Sequence, residues 1–131
     1  MLEAENARTN THVVLAFEET VFNRHHVNDG FNLYVSAQYK EHDPMLPEGF
    51  DAAVKALDNE LRLFPNSRLQ VKRTVAQRDL VAVHAFWDQR PGETRGVARL
   101  DLYRLENAKI VEHWNVEQAV PESKGESPGM F

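Results

Sequence analysis

The sequence contains no cysteine. That excludes disulfides, thiol nucleophiles and cysteine-ligated metals in one step, and it fits a reducing compartment. No apolar run approaches the ~20 residues of a membrane-spanning helix. The opening MLEAENARTN is polar and of mixed charge, unlike a secretory leader, so the expected location is cytoplasmic. Positive charge is also short. Fifteen Lys and Arg stand against 20 Asp and Glu, a net charge of −5, and no stretch gathers the cations. Nucleic acid and membrane surfaces are therefore not expected partners. The chain has only six glycines and no glycine-rich phosphate loop. It has no GxSxG, and Ser36, Ser67, Ser123 and Ser127 fall in turns, a short helix or the tail, which leaves no serine nucleophile. His42, His84, Asp101 and Glu112 are all metal-ligand types, but no HxH or HxxxH spacing gathers them. No metal and no other cofactor is expected.

What is present is the material of one core. A chain of 131 residues, 42% hydrophobic and 27% charged, suits a single domain over 1–131. From Thr11 to about His26, Val14, Phe17 and Val21 recur at helical spacing, flanked by Val13 and Phe22, with Asn10 or Thr11 as cap. Asn28-Asp29-Gly30 breaks the pattern, and FNLYVSAQY reads as a short second helix or turn. KEHDPMLPEG is a loop. FDAAVKALDNELRLF is the clearest helix, with Phe50, Val54, Leu57, Leu61 and Phe64 on one stripe and Pro65-Asn66 as its stop.

Beyond Pro65 the period changes to two. RLQVKRTVA, LVAVHAFW, RGVARLDLYRL and KIVEHWNVEQAV read as four antiparallel strands, turning at Arg78-Asp79 and Asn107-Ala108 and through the loop DQRPGET. Helices first and a meander second is an α+β pattern. The expected result is a cone-shaped barrel, helices packed in a curved antiparallel sheet, with an apolar pocket at its mouth. The tail, 121–131, is polar but ends in Met130-Phe131. Phe131 is expected to dock on its own or a partner subunit.

Cross-strand pairing assigns faces. A regular hairpin through Asn107-Ala108 sets Asp101 opposite Trp114 and Tyr103 opposite Glu112. The first hairpin sets Arg73 opposite His84 and Val71 opposite Phe86. Symmetric closure of the 88–95 loop puts His84 opposite Arg99, so Asp101, His84, Arg73, Glu112 and Trp114 share one concavity. A slip of one residue would reverse this.

The segments FPNSRLQVKRTVAQRDLVAVHAFW, RGVARLDLYRLENAKIVEHWNVEQAVPE and YKEHDP resemble the SnoaL-like polyketide cyclases of the NTF2-like superfamily, over about Val14 to Pro121. The resemblance implies a cone-shaped α+β barrel, usually dimeric, with a buried pocket. It also implies cofactor-free acid–base work on an intramolecular aldol condensation. It carries the catalytic acid onto Asp101, and His42, His84 and Trp114 match other family positions. Asn115 stands where relatives often have Asp, and His42-Asp43-Pro44 where they often have His-Asn-Pro.

Each candidate has two readings. Asp101 is either an acid–base group whose pKa an apolar pocket raises, or the structural partner of Arg73 or Arg99. His84 polarises a carbonyl or relays a proton with Asp101, or it is a satisfied core histidine. His42 sits in a Pro-rich loop near the pocket mouth and joins them as a catalytic candidate, with a loop-to-helix hydrogen bond as its alternative reading. Trp114, Tyr103, Arg73, Phe86 and Glu112 are the expected ligand-binding set, with core packing or an Arg73–Glu112 pair as the alternative. His25-His26 ends the first helix and is assigned no chemistry. Two functions follow: a cofactor-free enzyme acting on a small apolar carbonyl compound, or a non-catalytic ligand-binding dimer.

Overall fold

The computed structural model describes residues 2–90, 92, 93, 95–122 and 129–131. Helix α1 runs over Leu2–Glu18, and its last turn widens into a π-helical segment at Glu19–Asn23. The helix starts earlier than Thr11 because the Ala, Glu and Arg residues before it are good helix formers. Thr11 is no cap; its hydroxyl donates to the Ala7 carbonyl one turn back, at 2.7 Å. Val14, Phe17 and Val21 are buried as their spacing requires. Asn23 then ties the helix to the sheet, donating to the Leu69 carbonyl and accepting from the Leu69 N–H.

Helix α2, Val27–Tyr34, leads directly into strand β1, Val35–Glu41. FNLYVSAQY thus holds a strand as well as the short helix or turn that its pattern suggests. The strand was hidden because β1 is polar on its outer positions and has no neighbour in sequence to pair with; it joins the last strand in parallel. Gly30 lets α2 lie against α1, since a Cβ there would stand 2.4 Å from a Val21 methyl.

Helix α3, Phe50–Leu63, buries Ala53, Val54, Leu57 and Leu61, the stripe read from sequence. Four strands follow: β2 Leu69–Gln77, β3 Leu80–Trp87, β4 Val97–Glu106 and β5 Lys109–Ala119. The sheet order is β1-β5-β4-β3-β2. The fold is α+β as expected, but the sheet is mixed rather than wholly antiparallel and stays open rather than closing into a barrel. The hairpin turns lie where expected, with Arg78, Asn107 and Ala108 in the left-handed region. The helices pack on the face formed by Val81, Val83, Ala85, Trp87, Val97, Tyr103, Leu105 and Ile110.

The register differs from expectation in two places. Arg104 pairs with Glu112 and Leu105 with Ile110, so Val111 is an extra residue on β5, a β-bulge. From there on the inward and outward residues of β5 exchange. Asp101 pairs with Asn115, not Trp114, and Tyr103 with His113, not Glu112. In the middle hairpin His84 pairs with Leu100 and Val83 with Asp101, one residue away from symmetric closure. Arg73 does pair with His84, but a second irregularity at Lys72 places Val71 against Ala85 rather than Phe86. No helix of the described residues is long and apolar enough to cross a membrane.

Candidate functional site

Alternation along β4 and β5 sends Arg99, Asp101, Tyr103, His113, Asn115 and Glu117 toward the helices. Five of these six carry charge or an acidic proton, and burial forces them to pair. Asp101 is fully buried and accepts four hydrogen bonds. Arg99 grips it with Nε at 3.1 Å and Nη2 at 2.9 Å. His113 Nε2 donates at 2.7 Å and Asn115 Nδ2 at 2.9 Å. The Arg99 guanidinium also lies over the rings of Phe22 and Trp87, at 4.8 and 5.0 Å.

His113 is held at both ends. Its Nδ1 donates to Glu41, 2.6 Å from Oε2, where β1 ends beside it. Burial alone would strip the ring of its proton. The bonds to Asp101 and Glu41 outweigh that and raise His113 to about 9, so it is an imidazolium at neutral pH. Burial would likewise push the Asp101 carboxyl up, but Arg99 and His113 hold it well below the usual carboxylate range. A raised pKa was the reading expected of an acid–base Asp101. The structure shows the opposite direction, because Arg99, the partner in the alternative reading, is joined by His113, which the bulge on β5 turns inward.

A third acid lies beneath. Glu18, from the end of α1, is buried and accepts the Tyr103 hydroxyl at 2.8 Å. Burial, and after it the Asp101 carboxylate, raise Glu18 to about 8.

These groups back a cavity of about 190 Å³. Its wall is largely aromatic and aliphatic, with Phe17, Phe22, Phe31, Tyr39, Trp87 and Ile110 prominent. The polar part of the wall is Arg99, Tyr103, His113 and Glu41, and toward the loops Asp43, Glu60, Arg90 and Glu117. Arg90 pairs with Glu117 and lies 3.7 Å from Glu60 on α3. Asp101 is not part of the wall; it stands behind His113 and Arg99.

Of the residues singled out from sequence, Asp101 and Tyr103 are brought together on this side. His84, Arg73, Phe86, Glu112, Trp114 and His42 are not. His84 and Phe86 lie on the opposite face of β3, and the Arg73 side chain meets His84 there. The bulge at Val111 turns Glu112 and Trp114 outward. Glu112 accepts from Arg104 at 2.8 Å and His42 at 2.7 Å, and His42 stacks on Trp114 at 4.9 Å. The Arg73–Glu112 pair is thus replaced by Arg73–His84 and Arg104–Glu112. Phe131 packs on the same outer face, 5.6 Å from the His84 ring and 5.2 Å from that of Phe86. Ser123 and Ser127 lie outside the described residues.

Sequence reasoning missed Arg99 as a pocket group, and His113, Glu41 and Glu18 altogether. Glu18 had a signal: it falls four residues after Val14 on an apolar helical stripe. His113 had none short of the bulge.

The comparisons agree with this architecture. The family model of the SnoaL-like polyketide cyclases matches residues 12–122. The chain belongs to that family. Among solved structures, a loop-truncated variant of IdmH is similar at a TM-score of 0.71 and 18% identity, covering 82% of this chain and 91% of that one. A SnoaL-like protein of unknown function from Burkholderia thailandensis matches at 0.69 and 15%, covering 85% and 95%. TsrD from Streptomyces laurentii matches at 0.69 and 12%, covering 84% and 88%. At such identities the likeness is one of fold. No curated protein matches the chain.

Proposed function

We propose that the chain is a cofactor-free acid–base catalyst that takes a small, largely apolar carbonyl compound into the cavity and moves a proton next to its carbonyl, as in cyclase- or isomerase-type chemistry. One observation carries the reading: the buried line Asp101–His113–Glu41 ends in the wall of an aromatic cavity, beside Arg99 and Tyr103. An imidazolium, a guanidinium and a phenol on one wall suit an oxygen that gains negative charge as an enolate forms. Glu41 is the carboxylate on that wall placed to take the α-proton. Asp101 acts through His113, keeping it charged and oriented. The cavity is smaller than the about 300–1,000 Å³ of drug-sized ligand sites, which favours a compact substrate.

We further propose a homodimer built through the outer sheet face. Leu100 and Val116 are cross-strand partners there and are 49% and 70% exposed, an apolar pairing that water disfavours.

The experiment is solvent-deuterium exchange at the central carbon of a small aryl 1,3-diketone, followed by NMR. The protein should accelerate exchange, and His113→Gln should lower the acceleration by about 10²-fold or more. Binding without any acceleration would favour the second reading, a non-catalytic ligand carrier. The sealed, ion-paired state of Asp101 is the observation that speaks for that alternative.

A further inference from the structure

We propose that Glu18 is a positioning residue for the cavity: by holding or releasing its own proton it decides whether the Tyr103 hydroxyl donates to Glu18 or to an oxygen of the bound compound. The inference rests on the cavity being a ligand site and concerns the direction of one hydrogen bond.

Glu18 reaches the site from α1, not from the sheet. Its Oε2 lies 2.8 Å from the Tyr103 hydroxyl. Its Oε1 is sealed from solvent and has no hydrogen-bond partner among the described residues. A carboxylate with a bare oxygen in a dry interior is costly, and a neutral carboxylic acid far less so. The charged groups that face it are Asp101 and Arg99 from β4 and His113 from β5. Asp101 pushes the Glu18 titration up by more than either Arg99 or His113 pulls it down, and both cations are engaged with Asp101, His113 also with Glu41. Its titration is raised to about 8, which leaves it neutral at pH 7.

A neutral Glu18 carries a hydroxyl of its own. With the proton on Oε2 it donates to the Tyr103 oxygen along the same 2.8 Å line. The Tyr103 hydroxyl then needs another acceptor, and Tyr103 lines the cavity. A carbonyl, enolate or phenolate oxygen there supplies it. Once Glu18 ionises, its carboxylate takes the Tyr103 proton in hydrogen bonding and withdraws it from the ligand. No covalent bond changes; one proton leaves Glu18 and the donor direction reverses.

The test has two arms. In the first, the ligand-free protein carries tyrosine labelled with carbon-13 at Cζ, and the Tyr103 resonance is identified by its loss in Tyr103→Phe. It should shift with pH, with a midpoint near the value raised at Glu18, and Glu18→Gln should abolish that shift while the circular dichroism stays native. A flat wild-type resonance, or a shift that persists in Glu18→Gln, overturns the inference. In the second arm 2,4-dinitrophenol, a phenolate across the whole pH range used, is titrated in as an enolate mimic, with Trp87 fluorescence as the signal in a Trp114→Phe background. Affinity of the wild type should fall as pH rises through the Glu18 titration, and Glu18→Gln should stay at its low-pH affinity throughout. Tyr103→Phe should bind about ten- to a hundredfold more weakly at low pH. A pH step retained in Glu18→Gln assigns it to His113 and overturns the inference. If no phenol binds while the first arm behaves as stated, the ligand-site reading fails and the Glu18–Tyr103 switch stands.

Discussion

Asp101 and His113 are not register partners, yet their Oδ1 and Nε2 atoms meet diagonally across β4 and β5 at 2.7 Å. That diagonal makes one carboxylate serve two buried cations, since Arg99 holds it from the other side.

Removing the shared charge should therefore be destabilising. Asp101→Asn leaves Arg99 and His113 buried without their main anion. Stability at neutral pH should fall by about 3–5 kcal/mol in guanidinium unfolding. The His113 pKa, raised to about 9 in the native protein, should drop toward its ordinary 6.5. A variant as stable as the wild type, with His113 unmoved, would remove the ion pair from the account of this fold.

The alkaline limb of stability has a defined sign. His113 titrates higher in the folded chain than its ordinary 6.5, at about 9. Its contribution is complete below 6.5 and is lost as pH climbs through 9. Glu18, moved from 4.5 to about 8, acts in the same direction over its own window. Asp101 has the opposite sign: its contribution is present above its ordinary 3.8 and is lost as pH falls below it. The melting temperature should decline on the alkaline side. Glu18→Gln should flatten the lower part of that decline and His113→Gln the upper part. Identical slopes in all three proteins would contradict this assignment.

The outer face gives a test of assembly. Val116→Lys places a cation opposite Leu100, where a dimer would bury both. Sedimentation should show association weakened by at least about tenfold, with the monomer's fold intact. A wild type that sediments as a monomer at micromolar concentration would reject the dimer.

Much of the framework was legible because it is written locally. The α3 stripe of Val54, Leu57 and Leu61 and the turn at Asn107-Ala108 depend on nearby residues alone, and both are where the period placed them. Strand β1 was not legible, since its partner β5 lies some 70 positions away and nothing in VSAQYKE announces it. The site was only partly legible for a related reason. Face assignment multiplies any error in register, and a bulge shifts every later residue by one. Asp101 and Tyr103 precede that error on β4 and were placed correctly relative to each other. His113 and Trp114 follow it and were exchanged. Arg99 was named as a partner for Asp101, and that pairing is the one in the structure.

The extra residue at Val111 also loosens the link between chain length and pocket chemistry. Val111 faces a partnerless position in the β4–β5 ladder, and past it Glu112 faces Arg104, His113 faces Tyr103 and Asn115 faces Asp101. A hairpin without that one residue would present the same pairs across β4 and β5. In a chain without it, the His-Trp pair would stand one place nearer the turn with the same ring facing inward. An alignment that forbids a gap after Ile110 will equate imidazole with indole.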